Sequence, residues 1–176
     1  MSRIEPVPYA EWDLDALSVM APGRELPPSN VLGLLAKHPA LAKAFLTFNR
    51  HLLSRTSTLT PRVRELLILR VAWRRRCEYE WAQHVLIAPR AGVTPEEIEE
   101  IRHDVPTTLT RAVDELEGDS QLSDETYAAL AADLDDRQLM DLVFTVGAYG
   151  MLAVALNTFG VKLDPGVPDG NFAIPK

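Results

Sequence analysis

The sequence predicts an all-α protein, and three observations carry that prediction. Apolar residues recur at three- and four-residue spacing in several segments, which is the pattern of amphipathic helices. Hydroxyl or acidic residues, some followed by proline, stand where those segments begin. No segment alternates between apolar and polar residues on both sides of a hairpin turn. With 176 residues, 47% of them hydrophobic, we expect one domain over residues 1–176 with a sizeable core.

Both ends of the chain differ from this helical pattern. Residues 1–29 are rich in proline and predict an extended arm around one short helix at residues 10–20. Residues 162–176 show no helical periodicity and predict an extended tail. The helical domain is therefore expected to lie mainly between these two segments.

Two helices are predicted directly after the arm. Asn30 is a candidate cap for a short helix over residues 30–37. The pair His38–Pro39 interrupts that helix, because a residue that precedes proline avoids helical backbone angles. Residues 40–53 then predict an amphipathic helix, since their apolar side chains recur on one face.

A strongly apolar helix is predicted next, over residues 61–75. Thr60 and Pro61 suit its start, because the threonine hydroxyl can cap the helix. Proline is tolerated at the first helical position, where a backbone N–H would have no partner within the helix. Its side chains are apolar nearly all round, so we expect it to lie at the centre of the fold. Three arginines, Arg74–Arg76, stand at its end. They are typical of a helix C-terminus, and the alternative is a binding site for an anionic substrate.

The remaining helices follow from caps and periodicity. A helix over residues 77–90 is expected to close at Gly92, which suits left-handed backbone. Thr94 begins a capping box, and Gly160 ends a long apolar helix. The other predicted helices cover residues 94–103, 108–117, 123–133 and 137–159.

Composition restricts the class of protein. A formal net charge of −7 argues against a nucleic-acid-binding surface, which would need a basic face. We find no apolar run near the roughly 20 residues of a membrane span, and the N-terminus lacks the apolar core of a secretory signal. A single cysteine cannot form an intrachain disulfide or a cysteine-rich zinc site. We therefore expect a cytoplasmic protein with a small-molecule substrate, and no nucleic-acid or membrane partner.

Four residues with chemical potential lie within one stretch. Cys77, Glu80 and His84 are spaced by three and four, so they share one face of a helix. Cys77 begins that helix after the arginines, which predicts a lowered pKa and a reactive thiolate. Glu80 and His84 could share a proton, and Glu65 on the preceding helix could meet them with a pKa raised by burial.

Each of these residues also has a structural interpretation. A Glu–His pair at this spacing is common on solvated helix surfaces, a lone cysteine often only packs, and Glu65 could pair with Arg62. In the last helix, Tyr149 and Asn157 either bond a neighbouring helix or line a substrate pocket. We assign no role to His38, His51 or His103. A zinc site from Glu65, Glu80 and His84 would have only a weak signature, so no metal and no cofactor is expected.

The spacing of these residues resembles a known family. Glu65, Cys77, Glu80 and His84, followed by the segment AGVTPEEI, are similar to the carboxymuconolactone decarboxylase family, which includes the alkyl hydroperoxidase D proteins. The resemblance covers the core motif at residues 39–101. It implies an alkyl hydroperoxidase D-like multi-helix domain with a central active-site helix pair, assembled as a trimer or hexamer.

One departure from the family pattern affects the expected chemistry. Glu80 stands where the peroxidases have the second cysteine of their Cys-x-x-Cys motif, and their cycle needs two thiols. The resemblance therefore implies a cofactor-independent lyase or isomerase acting on a small enolisable acid or lactone. In that hypothesis His84 is the general acid and base, Glu80 orients it or shares its proton, Glu65 is the second carboxylate, and Cys77 is a bystander. The alternatives are a thiol-dependent hydroperoxidase that uses Cys77 and a non-catalytic helical assembly protein.

Overall fold

Helices make up all the regular secondary structure of the part described by this computed structural model, residues 2–54 and 57–173. The all-α prediction is therefore confirmed. The α-helices are α1 (Leu14–Leu17), α2 (Asn30–Leu35), α3 (Pro39–Leu53), α4 (Pro61–Arg74), α5 (Glu78–Ile87), α6 (Pro95–Arg102), α7 (Thr108–Gly118), α8 (Asp124–Ala131) and α9 (Asp136–Phe159).

Helix α4 lies at the centre and packs against α5, α6, α7 and α9, as its apolar composition predicts. Thr60 caps it by accepting a hydrogen bond from the backbone N–H of Val63 at 3.2 Å, and Pro61 is its first residue. One side of α4 packs in a core with α7, α8 and α9, and its other side packs with α5 and α6. Because α4 is buried on both sides, a polar residue within it is held in place by the whole core.

The N-terminal arm is more ordered than the sequence predicts. The single helix expected at residues 10–20 is wrong, since a 3₁₀ turn at Tyr9–Glu11 precedes α1 and another at Ser18–Met20 follows it. Asp13 separates the first two elements, because its carboxylate accepts the backbone N–H groups of Asp15 and Ala16 and so starts a new helix. Buried arm residues pack on α3: Trp12, Leu17 and Leu26.

Several helix boundaries differ from expectation because another residue provides the cap. Ser29, rather than Asn30, caps α2 by accepting the N–H of Leu32. Asp135 caps α9 in a reciprocal pair with Gln138, so that helix begins one residue earlier than predicted. The helices α5 and α8 are shorter than predicted, and a 3₁₀ turn at Ala88–Ala91 joins α5 to Gly92.

The C-terminal tail has no helix over its described part, up to residue 173, and residues 174–176 of the predicted tail lie outside the described residues. It nevertheless docks on α5. Asp164 accepts hydrogen bonds from the hydroxyl of Tyr79 and the amide of Gln83, both at 2.8 Å. The indole of Trp81 donates to the carbonyl of Gly170 at 2.9 Å. These contacts fix the tail across one edge of α5.

Helix α9 has two apolar faces. Over the described residues it is the one helix long and apolar enough to cross a membrane, and 56% of that span is buried inside the protein. The expectation that no apolar run approaches that length is thereby corrected, although core helices of soluble proteins pass the same test. Its outer face exposes a row of large side chains: Met140, Val143, Phe144, Met151 and Val154.

Candidate functional site

A cavity of about 340 Å³ lies where α5 and α9 meet α3 and the segments around α2. Most of its lining is apolar, which suits binding of a small organic molecule. The polar and titratable side chains that line it are Ser29, Asn49, Tyr79, Glu80, Gln83, His84, Tyr149 and Asp164. Three of the residues singled out from the sequence, Glu80, His84 and Tyr149, are therefore in one place.

The turn between α4 and α5 brings the two helices of the site together. Arg76 adopts left-handed backbone with φ of 52°, and Cys77 donates its backbone N–H to the carbonyl of Ala72 at 2.8 Å. Cys77 is the N-cap residue of α5. This tight reversal lays α5 back against α4, so that His84 on α5 reaches Glu65 on α4.

The arginines at the end of α4 have a structural role. Arg74 pairs with Asp114 at 3.3 Å, and Arg75 pairs with Glu117. None of Arg74–Arg76 lines the cavity. The interpretation as a helix C-terminus is therefore supported, and the alternative of an anion site in this cavity is not.

Glu65 and His84 form a buried pair. The Nδ1 atom of His84 lies 2.6 Å from Oε2 of Glu65, and the two residues are 8% and 2% exposed. The ring of Tyr149 packs edge-to-face on the imidazole, with centroids 5.2 Å apart. Among the described residues none hydrogen-bonds the other ring nitrogen, Nε2. The carboxylate thus fixes the imidazole and leaves Nε2 for other chemistry.

This pairing corrects the sequence-based roles. The hypothesis joined His84 to Glu80 as an i,i+4 pair, and the structure joins it to Glu65 instead. The reason is tertiary, because α4 presents Glu65 directly to Nδ1 across the helix pair. Glu80 lies on the same helix as His84 but makes no hydrogen bond to it.

Glu80 is a buried carboxyl group with unused hydrogen-bonding capacity. It is 2% exposed, and neither of its oxygens has a hydrogen-bond partner among the described residues. Burial raises the pKa of Glu80 well above its usual value, and the nearby carboxylate of Glu117 raises it further. The Cys77 thiol lies close enough to oppose this shift, but it does not reach hydrogen-bonding geometry. The neutral acid is the favoured form of Glu80.

Gly150 on α9 makes room for an ion pair near Glu80. A Cβ atom added to Gly150 would lie 2.6 Å from Oε1 of Glu117 and 3.7 Å from a guanidinium nitrogen of Arg75. Glycine at this position of α9 therefore lets the Arg75–Glu117 ion pair pack closely against the helix. That ion pair in turn places a carboxylate near Glu80.

Cys77 does not match the reactive thiol that the sequence predicts. It is fully buried and does not line the cavity. Burial raises the pKa of the Cys77 thiol, and the neighbouring Glu80 carboxyl raises it further. The prediction of a lowered pKa is wrong, because desolvation outweighs the helix N-terminus. The thiolate, which is the nucleophilic form, is disfavoured at this position.

The two polar residues noted in the last helix have different outcomes. Tyr149 is buried and lines the cavity. Asn157 is exposed, and its side-chain amide donates to the carbonyl of Arg75 at 2.8 Å. Asn157 thus closes the end of α4 and does not line this cavity, which agrees with the structural interpretation of this residue; its role in substrate binding stays a prediction.

Sequence reasoning missed Asn49 on α3. It is 6% exposed and lines the cavity, and its Oδ1 atom has no hydrogen-bond partner among the described residues. A signal was present, because Asn49 falls three residues after Leu46 and three before Leu52 on the buried face of that helix. A polar residue within an apolar stripe needs a partner. The amide of Asn49 interacts with the hydroxyl of Tyr149, and its Oδ1 atom is left available to a ligand.

Within residues 2–54 and 57–173, no group of three or more His, Cys, Asp or Glu side chains is arranged to hold a metal ion.

Comparisons with known proteins agree with this architecture. Residues 39–113 match the sequence model of the Carboxymuconolactone decarboxylase family. No curated protein sequence matches the chain. The structure resembles an uncharacterised peroxidase-related protein from Ralstonia eutropha, described as an alkylhydroperoxidase AhpD core, with a TM-score of 0.76 and 20% identity. That alignment covers 99% of this chain and 98% of the other.

Two further solved structures are similar. A peroxidase-related protein from a Silicibacter species aligns with a TM-score of 0.70 and 18% identity, over 82% of this chain and 81% of that one. A protein of unknown function from Agrobacterium tumefaciens aligns with a TM-score of 0.63 and 20% identity, over 73% and 93% respectively. At such identities these likenesses establish the fold alone.

Proposed function

We propose that the chain, whose residues 39–113 match the model of the Carboxymuconolactone decarboxylase family, is a cofactor-independent lyase or isomerase. Its substrate in this proposal is a small enolisable acid or lactone. One observation carries the proposal: a carboxylate-bound histidine and an unpartnered neutral carboxyl group, His84 and Glu80, line the same cavity.

The proposed proton transfers use His84 as the base and Glu80 as the acid. Nε2 of His84 takes a proton from the carbon next to the substrate carbonyl, and the C–H electron pair becomes the new C=C bond. The carbonyl π electrons move to oxygen, which receives the proton of Glu80. Reprotonation at another carbon from His84, with return of the hydroxyl proton to Glu80, restores both groups. A base and an acid held on one cavity wall are what such an enolisation requires.

Glu65 acts through His84 in this scheme. In this scheme the Nδ1–H group of His84 donates to Oε2 of Glu65, with 2.6 Å between the nitrogen and the oxygen, which fixes the ring and leaves Nε2 as the basic nitrogen. When His84 takes a second proton, the adjacent carboxylate stabilises the imidazolium. Glu65 is thus a positioning residue, and His84 and Glu80 are the residues that meet substrate.

The alternatives have less support. A hydroperoxidase needs an accessible thiolate, whereas Cys77 is fully buried with a raised pKa. A non-catalytic assembly protein has no need of a cavity lined by His84 and an unpartnered Glu80.

The experiment is a proton-exchange assay. The protein is incubated in D₂O with α-angelica lactone, whose double bond moves into conjugation by a proton shift, and deuterium incorporation is followed by NMR. We expect wild-type protein to accelerate exchange and His84→Ala to reduce it by roughly 10²–10⁴-fold. Cys77→Ser is the matched control and should exchange like wild type. Equal exchange in wild type and His84→Ala would contradict the proposal.

We also propose that the protein is a homo-oligomer, as the resemblance implies, and that the outer face of α9 is buried in it. This row of large apolar side chains includes Phe144 and Met151 and carries no charge between residues 140 and 154 except the buried Asp141. A second copy offers the same uncharged surface, which is the condition for a two-fold contact. Phe144→Glu should lower the mass measured by light scattering, whereas Glu125→Gln on exposed α8 should not. An unchanged mass in Phe144→Glu would contradict this interface. The location in the cytoplasm stays a prediction.

A further inference from the structure

The lining of the cavity carries no positive side chain among the described residues. Its titratable lining residues are Glu80, Asp164, His84 and two tyrosines, and Glu65 lies directly behind His84. The cavity is thus acidic as well as apolar. A carboxylate placed there would leave water without meeting a cation.

The hydrogen-bond donors near Asp164 do not replace a cation. The hydroxyl of Tyr79 and the amide of Gln83 both donate to Asp164 at 2.8 Å, and the backbone N–H of Asn30 does so at 2.6 Å. These donors already satisfy a carboxylate of the protein. A substrate carboxylate would have to displace it and would then lie beside a second negative charge.

Arg64 on α4 lies near the cavity without lining it. It acts on the hydroxyl of Tyr149 electrostatically, and one of its guanidinium nitrogens donates to the carbonyl of Leu52 at 3.4 Å. The Tyr149 ring lines the cavity, and Arg64 is not part of the lining. Its Nε atom is buried without a hydrogen-bond partner among the described residues, but it lies behind the wall of the cavity and not in its lining.

The unpartnered polar atoms also discriminate between ligands. Oδ1 of Asn49 can only accept a hydrogen bond, and neutral Glu80 can donate one and accept another. A carboxylate is an acceptor without a donor, so it cannot satisfy the Oδ1 atom of Asn49. A neutral molecule with a carbonyl oxygen and a hydroxyl or enol can bond Glu80 and Asn49 at once. Apolar walls that include Phe45, Leu152 and Leu156 favour an apolar body for that molecule.

We propose that this site takes a neutral, largely apolar carbonyl compound, such as a lactone or ketone, and excludes carboxylates. The reaction is then a proton shift within the substrate and not a loss of CO₂, since decarboxylation starts from a carboxylate. This inference rests on the proposed function and narrows its substrate class to neutral molecules.

The test compares two planar enol analogues of similar shape. Binding of p-cresol and of p-hydroxybenzoate to the full-length protein at pH 7.5 is measured by isothermal titration calorimetry. Both carry the phenolic hydroxyl, and they differ in a methyl group against a carboxylate. We expect p-hydroxybenzoate to bind at least about tenfold more weakly, because its carboxylate would be buried without a cation to pair with.

A charge-supplying variant locates the effect in the cavity. Met20 lines the cavity and is half-buried, so Met20→Lys can add a cation with little disturbance, and Met20→Leu is the matched control. We expect Met20→Lys to strengthen p-hydroxybenzoate binding and Met20→Leu to leave it weak. Equal or tighter binding of p-hydroxybenzoate to wild type, binding of neither ligand, or no gain in Met20→Lys would overturn the inference.

The outcome is separable from that of the proposed function. The titration measures binding without turnover, and the exchange assay measures turnover. A preference for p-cresol together with unchanged exchange in His84→Ala would retain the substrate class and remove the proton-transfer role. Tight p-hydroxybenzoate binding together with loss of exchange in His84→Ala would retain the proton-transfer role and remove the proposed substrate class.

Discussion

The same chemical pair, a histidine beside a carboxylate, occurs in two surroundings of this molecule. His84 lies 2.6 Å from Glu65 within the core, and His51 lies 3.0 Å from Asp141 where α3 meets α9. Both side chains of the first pair are nearly buried, whereas the side chain of His51 is 49% exposed. Only the first pair adjoins the cavity lined by Glu80.

The second pair is satisfied by its neighbours. Asp141 also accepts the backbone N–H of Thr58 at 2.7 Å and its hydroxyl at 2.8 Å, with the hydroxyl of Ser57 at 3.4 Å. These bonds tie the start of the loop before α4 to α9. A histidine–carboxylate contact is therefore not by itself a site. Unused hydrogen-bonding capacity beside a cavity is what separates the two pairs.

The largest expected effect separates the two carboxylates by activity. Glu65→Gln should lower kcat/KM for α-angelica lactone by roughly 10²-fold, because the amide no longer stabilises the His84 imidazolium. Asp141→Asn should leave kcat/KM unchanged while the protein is folded. Steady-state kinetics on both variants, with urea unfolding to confirm folding, measures this. A larger activity loss in Asp141→Asn than in Glu65→Gln would remove the distinction between the pairs.

The next largest effect is expected at Glu80, where one substitution should remove activity and increase stability. Glu80→Met replaces an unpartnered buried carboxyl with an apolar group of similar length. We expect the free energy of unfolding to rise by about 1–3 kcal/mol, since a buried unsatisfied polar group is removed. Exchange activity should be lost at the same time. Urea denaturation beside the exchange assay measures both, and a destabilised Glu80→Met would mean that Glu80 has an unseen partner.

The two acids should also respond to pH with opposite sign. Burial raises the pKa of Glu80, so its ionisation costs stability, and this loss sets in as pH rises above the usual glutamate pKa of 4.5 toward the raised folded value. The pKa of Asp141 is lowered by hydrogen bonds from Thr58 and His51 despite partial burial, which acts to raise it. Its contribution is present above the usual aspartate value of 3.8 and is lost as pH falls through the folded one.

The pH dependence of stability due to each acid can be measured against a variant in which that side chain cannot ionise. The stability of wild type relative to Glu80→Gln should fall as pH rises above about 4.5, and that of wild type relative to Asp141→Asn should fall as pH drops below about 3.8. Unfolding free energies measured across pH provide both curves. Parallel curves for the two variants would contradict the assigned surroundings.

The smallest expected effect on activity is at Cys77. Cys77→Ser places a hydroxyl in a fully buried position and should cost about 1–3 kcal/mol of stability, with exchange activity unchanged. Thermal unfolding and the exchange assay measure the two quantities. A loss of exchange in this variant would favour the thiol chemistry that its burial argues against.

Much of the helical framework is predictable because its signals are local. Thr60 with Pro61, and the capping box that begins at Thr94, start helices through bonds to N–H groups within three residues. The error at residues 10–20 has the same origin, since Asp13 restarts the helix by a local cap that was not counted. The prediction of a helix boundary is therefore wrong where a second capping residue competes with the first.

The sequence predicts which residues belong to the candidate site better than it predicts how those residues pair. Spacing places Glu80 and His84 on one face of α5, and the structure finds both in the cavity lining. Spacing could not show that Glu65 would bind Nδ1 of His84, because that contact joins two helices. It also could not place Asn157, whose partner is the carbonyl of Arg75 at the end of α4.

The sequence by itself determined an all-helical chain, a buried central helix, and the spacing of Glu65, Cys77, Glu80 and His84. These properties depend on periodicity and on caps that act within a few residues. Tertiary structure alone decided that Cys77 is buried and that, within the described part of the chain, Glu80 has no hydrogen-bond partner and no cation lines the cavity. Burial and pairing depend on residues distant in sequence, and desolvation sets the protonation state of each group. The chemistry of the site is therefore a property of the packed helices and not of the motif.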